Sequence, residues 1–347
     1  MVRRIADDGC EVIELDTANA EPTPLPSALP LTPAAPVSAA GIGAYVRLAR
    51  PKQWAKGAFV VVGPVYGVAV NTASQVLAVA GAFLAFGLAS SACYVMNDII
   101  DREADRAHPR KRRRPIASGA ISIRAAVWYA IVLWILAAAA VFLVPMGTEP
   151  AWRSPRVLLG IVVGLYVANV LLYSASFKRR VVLDVISLSG GFVLRVLGGC
   201  AAAAVEPSSW LLNVTFFVAM FLALGKRLGE RRALGQGATA TRGVHVKYTD
   251  DLLRMAVVVT GVATLLTYAD YVQAQHATYT RGFNLLWLTM LPATYGLLRA
   301  MVLLERGVYD DPTEMAVKDR PLQMAVAGFG MLTVLLLVGV KKHLLVP

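Results

Sequence analysis

The chain is short of charge. Only 16% of its 347 residues are Asp, Glu, Lys or Arg, against about 25% in a soluble domain, so water alone is not its solvent. Cysteine is nearly absent. Cys10, Cys93 and Cys200 lie far apart and form no CxxC pair, which excludes a disulfide framework or a zinc ribbon. Histidine is as scarce: His108, His245, His276 and His343 are scattered and make no metal-binding set. No GxxxxGK[ST], GxGxxG after a strand, HExxH or GxSxG occurs. The local signatures of P-loop, dinucleotide-binding, zinc-protease and α/β-hydrolase chemistry are therefore missing.

Apolar residues dominate instead, at 57%, with a mean hydropathy of +0.58. Disorder over most of the chain is excluded. The reading is an all-α polytopic membrane protein. A membrane span takes about 20 apolar residues. Apolar runs lie near 57–70, 75–97, 122–145, 157–175, 181–204, 209–225, 252–273, 283–304 and 322–340, which makes nine passes. The first is the shortest and is broken by Gly63 and Pro64.

The net charge is +12. In a soluble chain that would suggest nucleic acid. Here the basic residues sit between apolar runs, so no nucleic-acid partner is expected and membrane lipid is. With nine passes, 26 Lys and Arg fall on one side and five on the other. The positive-inside rule puts the basic side, and the N-terminus, in the cytoplasm of a plasma (inner) membrane. Residues 1–44 read as a separate disordered tail: six acids up to Glu21, then six prolines between Pro22 and Pro36. Residues 45–347 read as one transmembrane domain.

The second apolar run ends in Asn97, Asp98, Asp101 and Asp105. On one continuous helix Asp98 and Asp105 lie about 20° apart, and Asp101 about 60° from Asp98. Three carboxylates on one face repel unless a cation lies between them. One or two carboxylates plus substrate phosphates suit Mg²⁺. A solvated acidic helix end is the plainer alternative. Five consecutive basic residues follow, from Arg110 to Arg114. They either anchor the loop to anionic lipid or, through Lys111 and Arg114, hold phosphate oxygens. Asp184 and Arg195 interrupt the fifth run, share a face within about 20°, and lie roughly 16 Å apart, too far to touch. They are read as lining one cavity. Lys178, Lys226 and Arg227 lie on the same basic side. Lys52 and Lys56, four apart, would face the same way on a helix, to anchor it or to meet a lipid phosphate.

The stretch from Asn97 to Asp105 resembles the NDxxDxxxD motif of the UbiA superfamily of membrane prenyltransferases. The resemblance extends over residues 45–325. It implies nine transmembrane helices around a cytoplasm-facing cavity. Four pieces resemble the branch that transfers phosphoribose to decaprenyl phosphate: RPKQWAK (50–56), NDIIDREADRAHPRKRRRPIASG (97–119), GKR (225–227) and DPTEMAVKDRPLQ (311–323). The branch implies transfer of a 5-phosphoribosyl group from phosphoribosyl diphosphate to a polyprenyl phosphate, with release of diphosphate, in the synthesis of cell-envelope arabinan precursors. It further implies Mg²⁺ on Asp98, Asp101 and Asp105, with Asn97 helping to set the geometry. Lys111, Arg114, Lys178 and Lys226 would clamp phosphate oxygens. Tyr173, Asp184, Arg195, Arg227, Asp319 and Arg320 are further substrate contacts. A homo-oligomer is compatible with the sequence. Two features depart from the pattern. The aromatic branch carries a second DxxxD, where only Asp184 remains after the fourth run. Gly57 stands where the phosphoribosyl branch usually has Asn. The alternative activity is transfer of an isoprenyl chain from its diphosphate to an aromatic or other acceptor. A transporter is a third reading, opposed by the crowding of polar residues on one side.

Overall fold

The structure is a computed structural model. It describes residues 4–5, 11–12, 41–67, 69–108, 111–148, 150–234, 248–275, 283–309 and 312–341. The chain divides into a small unit, Met1–Ser38, and a large one, Ala39–Pro347. In the small unit β1 (Arg4–Ile5) pairs antiparallel with β2 (Glu11–Val12), Arg4 opposite Val12. Most of the segment read as a tail lies outside the described residues.

The large unit is helical. Its described helices are α1 (Ile42–Ala49), α2 (Ala58–Tyr66), α3 (Ala73–Ile100), α4 (Arg102–Ala107), α5 (Ile123–Val141) and α6 (Pro155–Ala175). They continue as α7 (Leu183–Ala202), α8 (Ser209–Leu234), α9 (Asp250–Ala274), α10 (Met290–Arg306), α11 (Pro312–Lys318) and α12 (Arg320–Lys341). Eight described helices are long and apolar enough to cross a membrane, each over one of the last eight apolar runs. The first run differs. A tight 3₁₀ segment, Pro51–Gly57, leads straight into the nine residues of α2. Seven residues at the 3₁₀ rise and nine at the α rise span roughly 28 Å, close to a hydrocarbon core of about 30 Å.

Helix starts follow local chemistry. Thr72 and Gln75 form a reciprocal capping box at α3, which satisfies two otherwise unpaired amides. Ser122 caps α5 and Thr249 caps α9 through their hydroxyls. The core lies between helices: Phe86, Leu159 and Tyr166 join α3, α6 and their neighbours, and Phe221, Leu253 and Leu304 join α8, α9 and α10. Outward faces are apolar too. Leu266, Val259 and Ile135 are each more than 60% exposed, as expected of side chains solvated by lipid rather than water. The chain is a multi-pass membrane protein.

Gly199 sets the closest helix approach. A Cβ there would lie 1.8 Å from the Val60 carbonyl oxygen, so α2 and α7 meet backbone to backbone. Gly57 has a similar cause. A Cβ there would lie 2.5 Å from the Phe83 ring, which fills the space that an Asn side chain would need.

Candidate active site

The α3 helix ends at Ile100, and Asp101 is its cap, at φ −88° and ψ 6°. The continuous helix assumed for residues 97–105 therefore breaks at its middle carboxylate. Asp98 and Asp105 still converge. The same Arg114 Nη1 lies 3.1 Å from Asp98 Oδ1 and 2.6 Å from Asp105 Oδ2. Arg50 Nη2 donates to Asp98 Oδ1 at 2.5 Å. Asp101 is drawn elsewhere: Lys178 Nζ donates to it at 2.5 Å. Asp98 and Asp105 are buried, at 2% and 3% exposure. The Asn97 backbone carbonyl accepts the Asp101 amide at 2.9 Å, a bond of the α3 helix end.

Among the described residues no three His, Cys, Asp or Glu side chains are grouped closely enough to hold a metal. Two carboxylates aimed at one cationic atom remain. Such a pair is unstable without positive charge between its members, and here a guanidinium supplies it. Hard anionic oxygens at one point fit Mg²⁺, which typically takes one or two carboxylates and fills the rest with water and substrate oxygens.

A second ionic group lies at the start of α7. Asp184 is fully buried. Arg227 Nε donates to its Oδ2 at 2.9 Å, and Tyr248 donates to its Oδ1 at 2.9 Å. Arg227 also reaches Glu230 at 2.6 Å and the Tyr173 hydroxyl at 3.1 Å. Burial pushes the Tyr248 phenol up to about 12, so it stays a donor at neutral pH. The third polar site is Arg195, midway along α7. It donates to the Gly191 carbonyl at 2.9 Å and to the Tyr166 hydroxyl at 2.7 Å, and lies 4.6 Å over the Tyr166 ring. Ser90 completes its surroundings at 3.4 Å. Asp184 and Arg195 keep separate partners, as their spacing requires. Arg50, the partner of Asp98, also stacks on the Tyr94 ring at 5.1 Å.

The remaining expected residues differ in burial and partners. Lys52 is exposed and Lys56 half-buried. Residues four apart on a 3₁₀ segment point about 120° apart, so these lysines do not share a face. Lys111 is half-buried and Arg320 exposed. Asp319 pairs with Arg299 at 2.8 Å and caps α12 by accepting the Leu322 amide at 2.9 Å. The Arg299 hydrogen bonds hold its carboxyl below the usual range. Sequence reasoning missed Arg50, Glu230, Tyr248 and Arg299 as partners of site residues. Arg50 was visible inside the basic segment 50–56, but helical spacing favoured its lysines. Tyr248 lies 64 positions from Asp184 and carries no local signal.

An apolar cavity of 340 Å³ lies apart from these charges, lined by Phe59, Tyr66, Cys200, Trp210, Tyr271 and Phe329 among others. Cys200 is roughly 24 Å along α7 from Asp184 at 1.5 Å per residue. Asp184 and this cavity therefore lie toward opposite ends of the helix, with Arg195 between them.

Known proteins resemble this chain in sequence and in fold. A decaprenyl-phosphate phosphoribosyltransferase of Mycolicibacterium smegmatis is 32% identical over 293 residues, covering 82% of this chain and 89% of that protein. Its counterpart from Corynebacterium glutamicum is 34% identical over 283 residues, covering 80% and 82%. A UbiA homolog from Archaeoglobus fulgidus, solved bound to DMAPP and Mg²⁺, superposes with a TM-score of 0.62 at 18% identity, over 87% of this chain and 99% of that one. The model of the UbiA prenyltransferase family matches residues 57–318, from the start of α2 through the carboxylate pair to the end of α11, and the chain belongs to that family.

Proposed function

We propose that this chain transfers a 5-phosphoribosyl group from phosphoribosyl diphosphate to a polyprenyl phosphate, decaprenyl phosphate or a relative of it, and releases diphosphate. The observation that carries this reading is the set of cations paired with Asp98, Asp101, Asp105 and Asp184: Arg50, Arg114, Lys178 and Arg227. The two substrates bring three phosphate-bearing positions: the diphosphate, the sugar 5-phosphate and the lipid phosphate. A prenyl diphosphate with an aromatic acceptor brings one. The identities to two phosphoribosyltransferases over four-fifths of the chain support the same choice.

Asp98 and Asp105 would hold Mg²⁺, which as a Lewis acid stabilises charge on a departing diphosphate; Asp101, paired with Lys178, lies outside that pair. When substrate phosphates arrive, Arg50, Arg114 and Lys178 exchange carboxylate partners for phosphate oxygens. Fixed positive groups in a site shielded from water then stabilise the charge that grows as the anomeric C–O bond breaks. The lipid phosphate is already ionised at neutral pH, so its oxygen attacks without a strong base. Asp184, held by Arg227 and Tyr248, is assigned in this reading to the ribose hydroxyls. Arg195 meets a phosphate at mid-depth. The apolar cavity suits part of the acceptor's tail. By the positive-inside rule, the basic loops support a location of this chemistry at the cytoplasmic face of the plasma membrane.

Purified protein with labelled phosphoribosyl diphosphate, Mg²⁺ and decaprenyl phosphate should give a labelled lipid. No labelled lipid, together with prenylation of an aromatic acid from a prenyl diphosphate, would replace this reading with the alternative.

A further inference from the structure

The turn that leads into α7 is strained. Val182 has φ 70° and ψ −49°, and the Leu183 amide bonds back to the Val181 carbonyl at 2.8 Å. This is a γ-turn of the rare hand, and a β-branched residue in it is an outlier. The Val182 side chain is 53% exposed, so core packing does not hold it. Such conformations persist only where the surroundings over-determine them.

The Tyr248 hydroxyl supplies that constraint. It accepts the Val182 amide at 2.7 Å and donates its own proton to Asp184 Oδ1 at 2.9 Å. The Val182 carbonyl in turn accepts the Ile186 amide at 2.9 Å, inside the first turn of α7. Tyr248 is 3% exposed, so water does not compete for its hydroxyl. One oxygen thus joins the strained amide to a buried carboxylate, while Arg227 holds the other carboxylate oxygen.

We propose that Tyr248 is a positioning residue: by holding Val182 in its left-handed turn it fixes the start of α7 and aims the Asp184 carboxylate at the sugar donor. This rests on the reading of Asp184 as a donor contact. Without the hydroxyl, Val182 relaxes to negative φ, and the helix start carries Asp184 with it. A glycine at 182 adopts positive φ without steric cost, so it removes the need for the clamp. That gives the test.

Kinetics would be measured on full-length wild type, Tyr248→Phe, Val182→Gly and the double variant, with amide exchange over residues 180–186 as a second readout. Tyr248→Phe is expected to lower kcat/KM for phosphoribosyl diphosphate roughly 10- to 100-fold, the range for a hydrogen bond to a charged group. KM for the lipid acceptor is expected to stay within about twofold, since the acceptor does not meet Asp184. Adding Val182→Gly to Tyr248→Phe is expected to recover about half or more of the loss on a logarithmic scale, with Val182→Gly alone as the reference. Wild-type kinetics in Tyr248→Phe, or a loss that Val182→Gly does not lessen, overturns the proposal. If wild type transfers no phosphoribosyl group, the functional reading fails separately. The clamp is then judged by exchange alone: Tyr248→Phe must speed exchange at the Val182 amide, and unchanged exchange refutes it.

Discussion

The Asp184–Arg227 pair allows a prediction with unequal arms. Asp184 is fully buried and Arg227 is 4% exposed, and they meet at 2.9 Å. Replacing Arg227 by Met leaves Asp184 with the Tyr248 hydroxyl as its one described side-chain donor. A buried charge stripped of its partner costs about 3–5 kcal/mol. Replacing Asp184 by Asn is milder. Arg227 keeps Glu230 at 2.6 Å and Tyr173 at 3.1 Å, and the Asn oxygen still accepts. That loss is about 1–3 kcal/mol. Adding Asp184→Asn to Arg227→Met removes the orphaned charge, so the double variant should be more stable than Arg227→Met alone. Thermal unfolding of purified protein in one detergent, followed by loss of the monodisperse species, reads all four proteins on a common scale. Equal destabilisation by the two single changes, or plain additivity in the double variant, would refute the argument that Asp184 depends on this one cation.

Three further outcomes are expected. Asp98→Asn and Asp105→Asn should each lower labelled-lipid formation by about 100-fold or more while the protein stays folded in the membrane, and EDTA should abolish turnover until Mg²⁺ is restored; wild-type rates in both variants or with EDTA would remove the metal assignment. Gly199→Ala should destabilise by about 1–3 kcal/mol or more, because its Cβ would meet the Val60 carbonyl oxygen at 1.8 Å, whereas Gly190→Ala, with nothing within 4 Å, should unfold like wild type. The lowered Asp319 carboxyl gives a signed pH effect: its bond to Arg299 stabilises the fold above the ordinary carboxylate value of 3.8, and that contribution disappears as pH falls through the depressed native value. Asp319→Asn should therefore flatten the acid limb of a stability–pH curve below about pH 4; an unchanged limb would contradict it.

Some of the site was legible in the chain and some was not. The convergence of Asp98 and Asp105 followed from a seven-residue spacing and survived the break at Asp101. The diversion of Asp101 to Lys178 did not follow, because it depends on where the end of α6 lies beside α3. Lys52 and Lys56 were expected on one face. The segment winds as a 3₁₀ helix after Arg50, which sits at φ 52°, and that backbone sends Arg50 to Asp98 instead.

Hydropathy and charge placement are local properties, so the sequence alone determined the apolar passes, the basic side and the acid–base motif that marks the family. Each follows from transferring one stretch of chain out of water, whatever its neighbours do. The pairings were decided only by tertiary structure. Asp184 meets Arg227 from 43 positions away and Tyr248 from 64, and the strained turn at Val182 exists because that tyrosine reaches it. A buried charge selects its partner by distance through the packed bundle, and that distance is set by how helices meet, as at Gly199 against Val60, not by order along the chain.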